Sequence, residues 1–165
     1  DIEEWHDVYK KIVNWELKLE NADRQMHEML KAQKEEANSI FARFVKKNYM
    51  EWVGQQSRER RPMMSHDLMR ERIFPMIDRG EKVFMVLIDN LRLDHWRVIQ
   101  KELSSLYEFE EDDSYFSILP TATQYARNAI FSGLLPLQIQ QMYPQYWVEE
   151  GDEESKNQYE KEFWT

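Results

Sequence analysis

The sequence predicts an α/β protein with an all-α N-terminal part: a three-helix bundle over residues 1–79, then the first β-α-β-α portion of a doubly wound sheet over residues 80–165. Three observations predict it. Apolar residues before Gly54 recur at three-four spacing. The run Val83-Phe84-Met85-Val86-Leu87-Ile88 is apolar throughout and stops on Asp89. A second β-rich stretch closes in Ile118-Leu119-Pro120-Thr121-Ala122-Thr123.

Taken in order, Trp5, Val8, Ile12, Trp15, Leu19, Ala22, Met26 and Met29 keep one narrow helical face apolar. Asn21-Ala22-Asp23 reads as a turn into a second helix or as part of one unbroken helix. Ala37, Ile40, Phe41, Phe44, Val45, Tyr49 and Trp52 continue an apolar face to Gly54. Gln55 to Pro62, rich in charged and amide residues, reads as a connector. A third helix is predicted from Ser65, its cap, with Asp67 in the first turn and Leu68, Met69, Ile73, Phe74 and Met76 on its apolar side before Gly80. Short loops between three helices predict an antiparallel bundle. Its apolar stripe is read as an intramolecular core rather than a dimer seam.

From Glu81 the composition changes. Six consecutive apolar residues leave no polar side for water, so Val83–Ile88 is predicted as a strand buried on both faces. A helix from about Asp94 to Leu106 carries Trp96, Ile99, Leu103 and Leu106 on one face. A second strand falls within Tyr107 to Leu119, interrupted by Glu110, Glu111, Asp112 and Asp113. Gln124 to Ser132 is predicted helical, with Thr123 as N-cap and Gly133 and Pro136 as stop signals. A last helix is predicted from Ser155 to Trp164. A right-handed crossover between parallel strands would bring both strand ends, and so Asp89 and Thr123, to one sheet edge.

Composition limits the function classes. No stretch approaches the roughly 18 apolar residues of a membrane span, and no secretory leader opens the chain. The expectation is a soluble, cytoplasmic protein without membrane association. Cysteine is absent, so a metal would have to be held by Asp, Glu, His or hydroxyl groups. A net charge of −9 opposes broad electrostatic binding to nucleic acid. His95 follows Asp94 directly, and adjacent helical residues point about 100° apart, so the two are poorly placed to share one ion. His6, His27 and His66 show no paired ligand spacing.

Asp89 is a candidate metal ligand, because ligands of open α/β sheets collect at the carboxyl edge of the strands; the competing reading is a turn residue. Thr123 offers a hydroxyl at a helix N-terminus, where phosphate is attracted; the competing reading is a simple cap. A threonine hydroxyl near neutral pH is a poor nucleophile unless a metal ion or base activates it. Arg127, one turn later on the same helix face, is within geometric reach of a phosphate, although a solvent-facing salt bridge is the favoured reading.

Asp89-Asn90-Leu91-Arg92-Leu93-Asp94, with Pro120-Thr121-Ala122-Thr123 and Ser132-Gly133-Leu134-Leu135-Pro136, resembles the alkaline phosphatase superfamily. Its nucleotide pyrophosphatase/phosphodiesterase branch has Asp-Gly-x-Arg-x-Asp after the first strand and Pro-Thr-x-Thr leading to Thr-Gly-x-x-Pro. Asp-Asn-Leu-Arg in place of the glycine form looks most like the PglZ domain. A helical segment ahead of a PglZ domain is similar to PorX-type response regulators, in which a receiver domain and a three-helix bundle precede a PglZ output.

That resemblance implies Asp89 as metal ligand and Thr123 as both metal ligand and nucleophile. It places Arg127 and Asn90 toward substrate. Arg92, Asp94 and Thr121 are read as structural support, with Asp94 capping the next helix and pairing with Arg92 and Thr121 shaping the loop. It implies a divalent metal, two zinc ions in the complete domain with manganese as an alternative, and a phosphate-ester substrate, nucleotide-like among the options. The remaining Asp and His ligands lie downstream in the family, so the expectation is that these 165 residues hold an incomplete metal site and are inactive alone. Two functional classes follow. One is a phosphodiesterase or phosphatase. The other is a non-catalytic signalling output that binds a protein partner and regulates type IX secretion. In the second, a sensor kinase acts upstream and the bundle relays receiver dimerisation within a homodimer.

Overall fold

The computed structural model describes residues 1–54, 61–148, 155 and 157–164. These residues are mostly helical, and among them no hydrogen-bonded strand forms. The chain divides into two compact units, one made of Asp1–Arg61 with Asn90–Ser114, the other of Pro62–Asp89 with Tyr115–Thr165.

The first unit is built on a helical hairpin. α1 (Ile2–Lys18) starts with the Asp1 carboxylate accepting the Glu4 N–H at 2.9 Å. It ends ahead of a turn closed by Ala22 N–H to the Leu19 carbonyl, and α2 (Arg24–Gly54) then starts where Asp23 accepts the Met26 N–H at 2.9 Å. The turn reading of residues 21–23 therefore holds. Trp5 meets Phe41 edge-on at 5.1 Å and Phe44 at 6.0 Å, and Glu16 pairs with Lys34, which sets the two helices antiparallel. Phe44 in turn packs on the buried Trp52 at 5.5 Å. Trp15 is not part of this seam and stays half exposed.

The third helix of this unit is not the one predicted. α4 (Leu93–Leu103) packs on α1, and Trp96 lies against Phe109 at 5.8 Å. The acidic stretch after it is used as an anchor: Asp112 accepts Lys10 through its carbonyl at 2.9 Å and pairs with Arg97 at 2.5 Å, while Ser114 contacts His6. Residues 107–114 are consequently irregular rather than a strand. Side chains of α1 and α4, rather than a neighbouring strand, hold this stretch at Asp112 and Ser114.

The predicted third helix belongs to the second unit and is broken into three pieces. Ser65–Asp67 forms a 3₁₀ turn, Met69–Ile73 a π-helical turn and Phe74–Asp78 the short α3. Pro75 is the cause, since it lacks an N–H and its ring clashes with the carbonyl four residues back; widening the preceding turn to π relieves both. Met64 rather than Ser65 precedes the 3₁₀ turn, and the Asp67 carboxylate accepts the Met64 N–H at 3.0 Å and Arg70 at 2.8 Å while wholly buried. Ser65, also wholly buried, accepts the Ile118 N–H at 3.1 Å. One parallel bridge, Met64 to Phe116, is all that appears of the second predicted strand. Met63, Met64, Met69, Ile118, Ala129 and Ile139 fill the core around it.

Val83–Ile88 runs extended but is neither paired nor buried on both faces. Phe84 and Val86 are 93% and 78% exposed, whereas Val83, Met85 and Leu87 are half-buried. These three line a cleft of about 450 Å³ with Ile73, Ile77 and Phe131. Alternation of this kind is strand geometry without a ladder: the backbone groups of 83–88 find no neighbouring strand among the described residues. The expected crossover unit is therefore not formed among the described residues.

α5 (Thr123–Ser132) follows as predicted, and Gly133, at φ 68°, ends it in the left-handed conformation. Pro136 opens α6 (Pro136–Met142) instead of stopping a helix. A proline at the first helical position loses no bond, and Gln138 reaches back to accept the Leu135 N–H at 2.8 Å. The helix predicted from Ser155 is a turn over 157–161 and a 3₁₀ turn Glu162–Trp164 where described; residue 156 and the connector residues 55–60 lie outside the described residues.

Candidate functional site

Asp89 and α5 lie in the same unit, and the structure brings them together through Arg127. The Arg127 Nη1 stands 3.7 Å from the Asp89 Oδ2, and its Nη2 donates to the Glu160 Oε2 at 2.5 Å. Asp89 is half exposed, at the end of the extended segment. Thr123 is not the N-cap: Ala122 takes that position, its carbonyl accepting from Tyr125 and Ala126, and Thr123 is the first helical residue. Its hydroxyl is therefore not committed to capping, and four residues of helix place it on the face that carries Arg127. Thr121 is exposed in the loop before α5.

Glu160 is the residue that sequence reasoning missed. Nothing in its neighbourhood, Tyr159-Glu160-Lys161, marks it as other than a surface acid. Its place is set by packing: Tyr159 meets Tyr146 at 5.4 Å, Phe163 meets Tyr146 at 5.8 Å and Tyr143 at 6.2 Å, and Asn157 donates to the buried Asn128 at 3.2 Å. These contacts dock the segment on α5 and on the residues after α6. The result is one guanidinium between two carboxylates.

The remaining motif residues lie in the first unit. Asn90 adopts φ 57°, in the left-handed region that favours glycine and tolerates asparagine. This accounts for asparagine standing where the related motif has glycine. Asn90→Val is expected to destabilise the protein by about 1–2 kcal/mol in urea unfolding, because a β-branched side chain clashes there, whereas Asn90→Gly is expected to be nearly neutral. Equal effects of the two would refute a backbone role.

Arg92 occupies the N-cap of α4 without a side-chain cap bond, and Asp94 is the second helical residue rather than the cap. Arg92 donates through Nε to Asp94 Oδ1 at 2.9 Å and through Nη2 to Oδ2. Beside that guanidinium the Asp94 carboxyl is held well below the usual carboxylate range. A lowered pKa means the pair contributes stability above the unfolded-state value and loses it as pH falls through the folded one. Carboxyl NMR titration is expected to show Asp94 still ionised when the exposed acids are protonated, and Arg92→Ala to return it to the ordinary range.

The described residues do not by themselves make a metal centre. No group of three or more His, Asp or Glu side chains among them is placed to hold an ion. The positive charge beside Asp89 is the Arg127 guanidinium. A guanidinium and a hydroxyl on the first turns of α5 are groups that favour an oxyanion, whereas the Asp89 carboxylate beside them competes with one. No described helix is long and apolar enough to cross a membrane.

The BREX system PglZ alkaline phosphatase-like domain matches residues 68–165, and the PorX response regulator linker domain matches residues 1–53. The chain belongs to the PglZ alkaline phosphatase-like family and carries a PorX-type linker at its N-terminal end. Its make-up fits a response-regulator-type protein with a phosphatase-like output. The comparison with curated proteins gives no match.

Proposed function

We propose that this chain serves a metal-dependent phosphoric-ester hydrolase that is the output of a response regulator. Thr123 is its nucleophile and a metal ligand, Asp89 a metal ligand, and Arg127 the phosphate contact. Asn90 lies toward the substrate, a phosphodiester or nucleotide-like ester. The observation that carries this reading is the approach of Asp89 to Arg127, one helical turn beyond Thr123. In this reading Val83–Ile88 and the stretch ending at Ile118 become strands once neighbouring strands supply their backbone partners; the alternating exposure of 83–88 supports it. Zinc is the proposed ion, with manganese as the alternative, and ligands from outside the described residues complete its shell.

Metal content and hydrolysis of bis(p-nitrophenyl) phosphate by the whole protein test the proposal. Asp89→Ala is expected to lose both metal and turnover, and Thr123→Val to reduce turnover to background. Undiminished turnover in both variants would sink it. The linker match to residues 1–53 favours a second reading, a signalling output that binds a protein partner. In that case Asp89→Ala keeps partner binding and the downstream response.

A further inference from the structure

We propose that Glu160 is an internal anion seated on the guanidinium that a substrate phosphate would take, so that docking of residues 157–164 inhibits the site from within. The inference rests on the reading of Arg127 as the phosphate contact and adds to it a competitor supplied by the same chain.

The contact is short but incomplete. Glu160 reaches Arg127 only through Oε2 to Nη2 at 2.5 Å. The Arg127 Nε and the Glu160 Oε1 are both buried without a hydrogen-bond partner among the described residues. A guanidinium is satisfied best by two parallel bonds to one planar or tetrahedral oxyanion, through Nε and Nη2 together. Phosphate offers two oxygens at that spacing, and the carboxylate as held here uses one. The side chain that occupies the guanidinium therefore leaves part of its binding capacity unused.

Glu160 is also delivered by contacts that owe nothing to charge. Phe163 meets Tyr143 and Tyr146 edge-on, Tyr159 meets Tyr146 at a tilt, and Asn157 donates to Asn128, so the carboxylate is brought to Arg127 by the packing of its segment. With Asp89 at 3.7 Å on Nη1, one positive charge faces two negative ones. An incoming phosphate must displace one of them, and Glu160, hydrogen-bonded at 2.5 Å from the segment 157–164, occupies the guanidinium more closely than Asp89 does at 3.7 Å. Undocking that segment would free the guanidinium while leaving Asp89 in place.

The test is inorganic phosphate binding to the chain by calorimetry. Glu160→Gln is expected to raise phosphate affinity about tenfold, the gain from removing one charged competitor from a partly buried guanidinium. Arg127→Gln in the Glu160→Gln background is expected to abolish that gain. If the Arg127 change has no effect, the assignment of Arg127 to phosphate fails. If Arg127 matters but Glu160→Gln leaves affinity unchanged, self-inhibition alone fails. A second measurement needs no substitution: saturating phosphate is expected to raise amide hydrogen exchange across residues 157–164 of the unaltered chain, and unchanged protection with phosphate bound at Arg127 would overturn the proposal.

Discussion

Trp52→Ala is expected to destabilise the helical unit by about 3–5 kcal/mol, the range for removing a large buried aromatic side chain. Trp52 is 4% exposed, and its loss would leave a cavity that α2 cannot close. The indole packs edge-on against Phe44, which stacks on Phe41 of the same helix and meets Trp5 of α1 at a tilt, so the cavity would open at one end of a continuous aromatic column. Trp52→Phe keeps part of that contact and is expected to cost about half as much or less. Urea unfolding followed by circular dichroism measures both. A midpoint unchanged in Trp52→Ala would mean that the hairpin draws its stability from elsewhere.

Asp67→Ala is expected to cost about 3 kcal/mol, through a different mechanism. The carboxylate is wholly buried and accepts the Met64 N–H and Arg70, in a part of the core where Met64 and Ser65 are also wholly buried. Its removal strands a buried N–H, a larger penalty than the loss of the ion pair, because Arg70 is 61% exposed and can turn to water. Asp67→Asn retains an acceptor and the shape, so a loss of about 1–2 kcal/mol is expected. Equal losses for alanine and asparagine would show that charge, not the acceptor, is what the site needs.

The helices that could be read directly are those whose signal is local. The three-four spacing around Trp5, Phe41, Phe44 and Trp52 places a seam before any partner is known, and Gly133 ends α5 by its own freedom at positive φ. The role of a proline is not local in this way: Pro75 interrupts a helix that the apolar pattern predicts as continuous, and Pro136 takes a first helical position rather than a stop, because the outcome depends on where the neighbouring backbone bonds go.

The site shows the same division. Asp89, Thr123 and Arg127 were each visible as residue types in a telling pattern. Glu160 was not, since its position comes from aromatic packing among Tyr143, Tyr146, Tyr159 and Phe163 rather than from a motif. Val83–Ile88 gives the sharpest contrast. An apolar run specifies that a segment will be extended and will seek burial, but a strand exists only when another segment answers its backbone groups. The sequence by itself therefore determined the helical hairpin and α5 with its glycine stop. Only the tertiary structure decided that α4 joins the hairpin, that Asp67 is a buried anchor and that Arg127 lies between two acids. Those outcomes depend on which distant groups meet, and a linear pattern does not encode that.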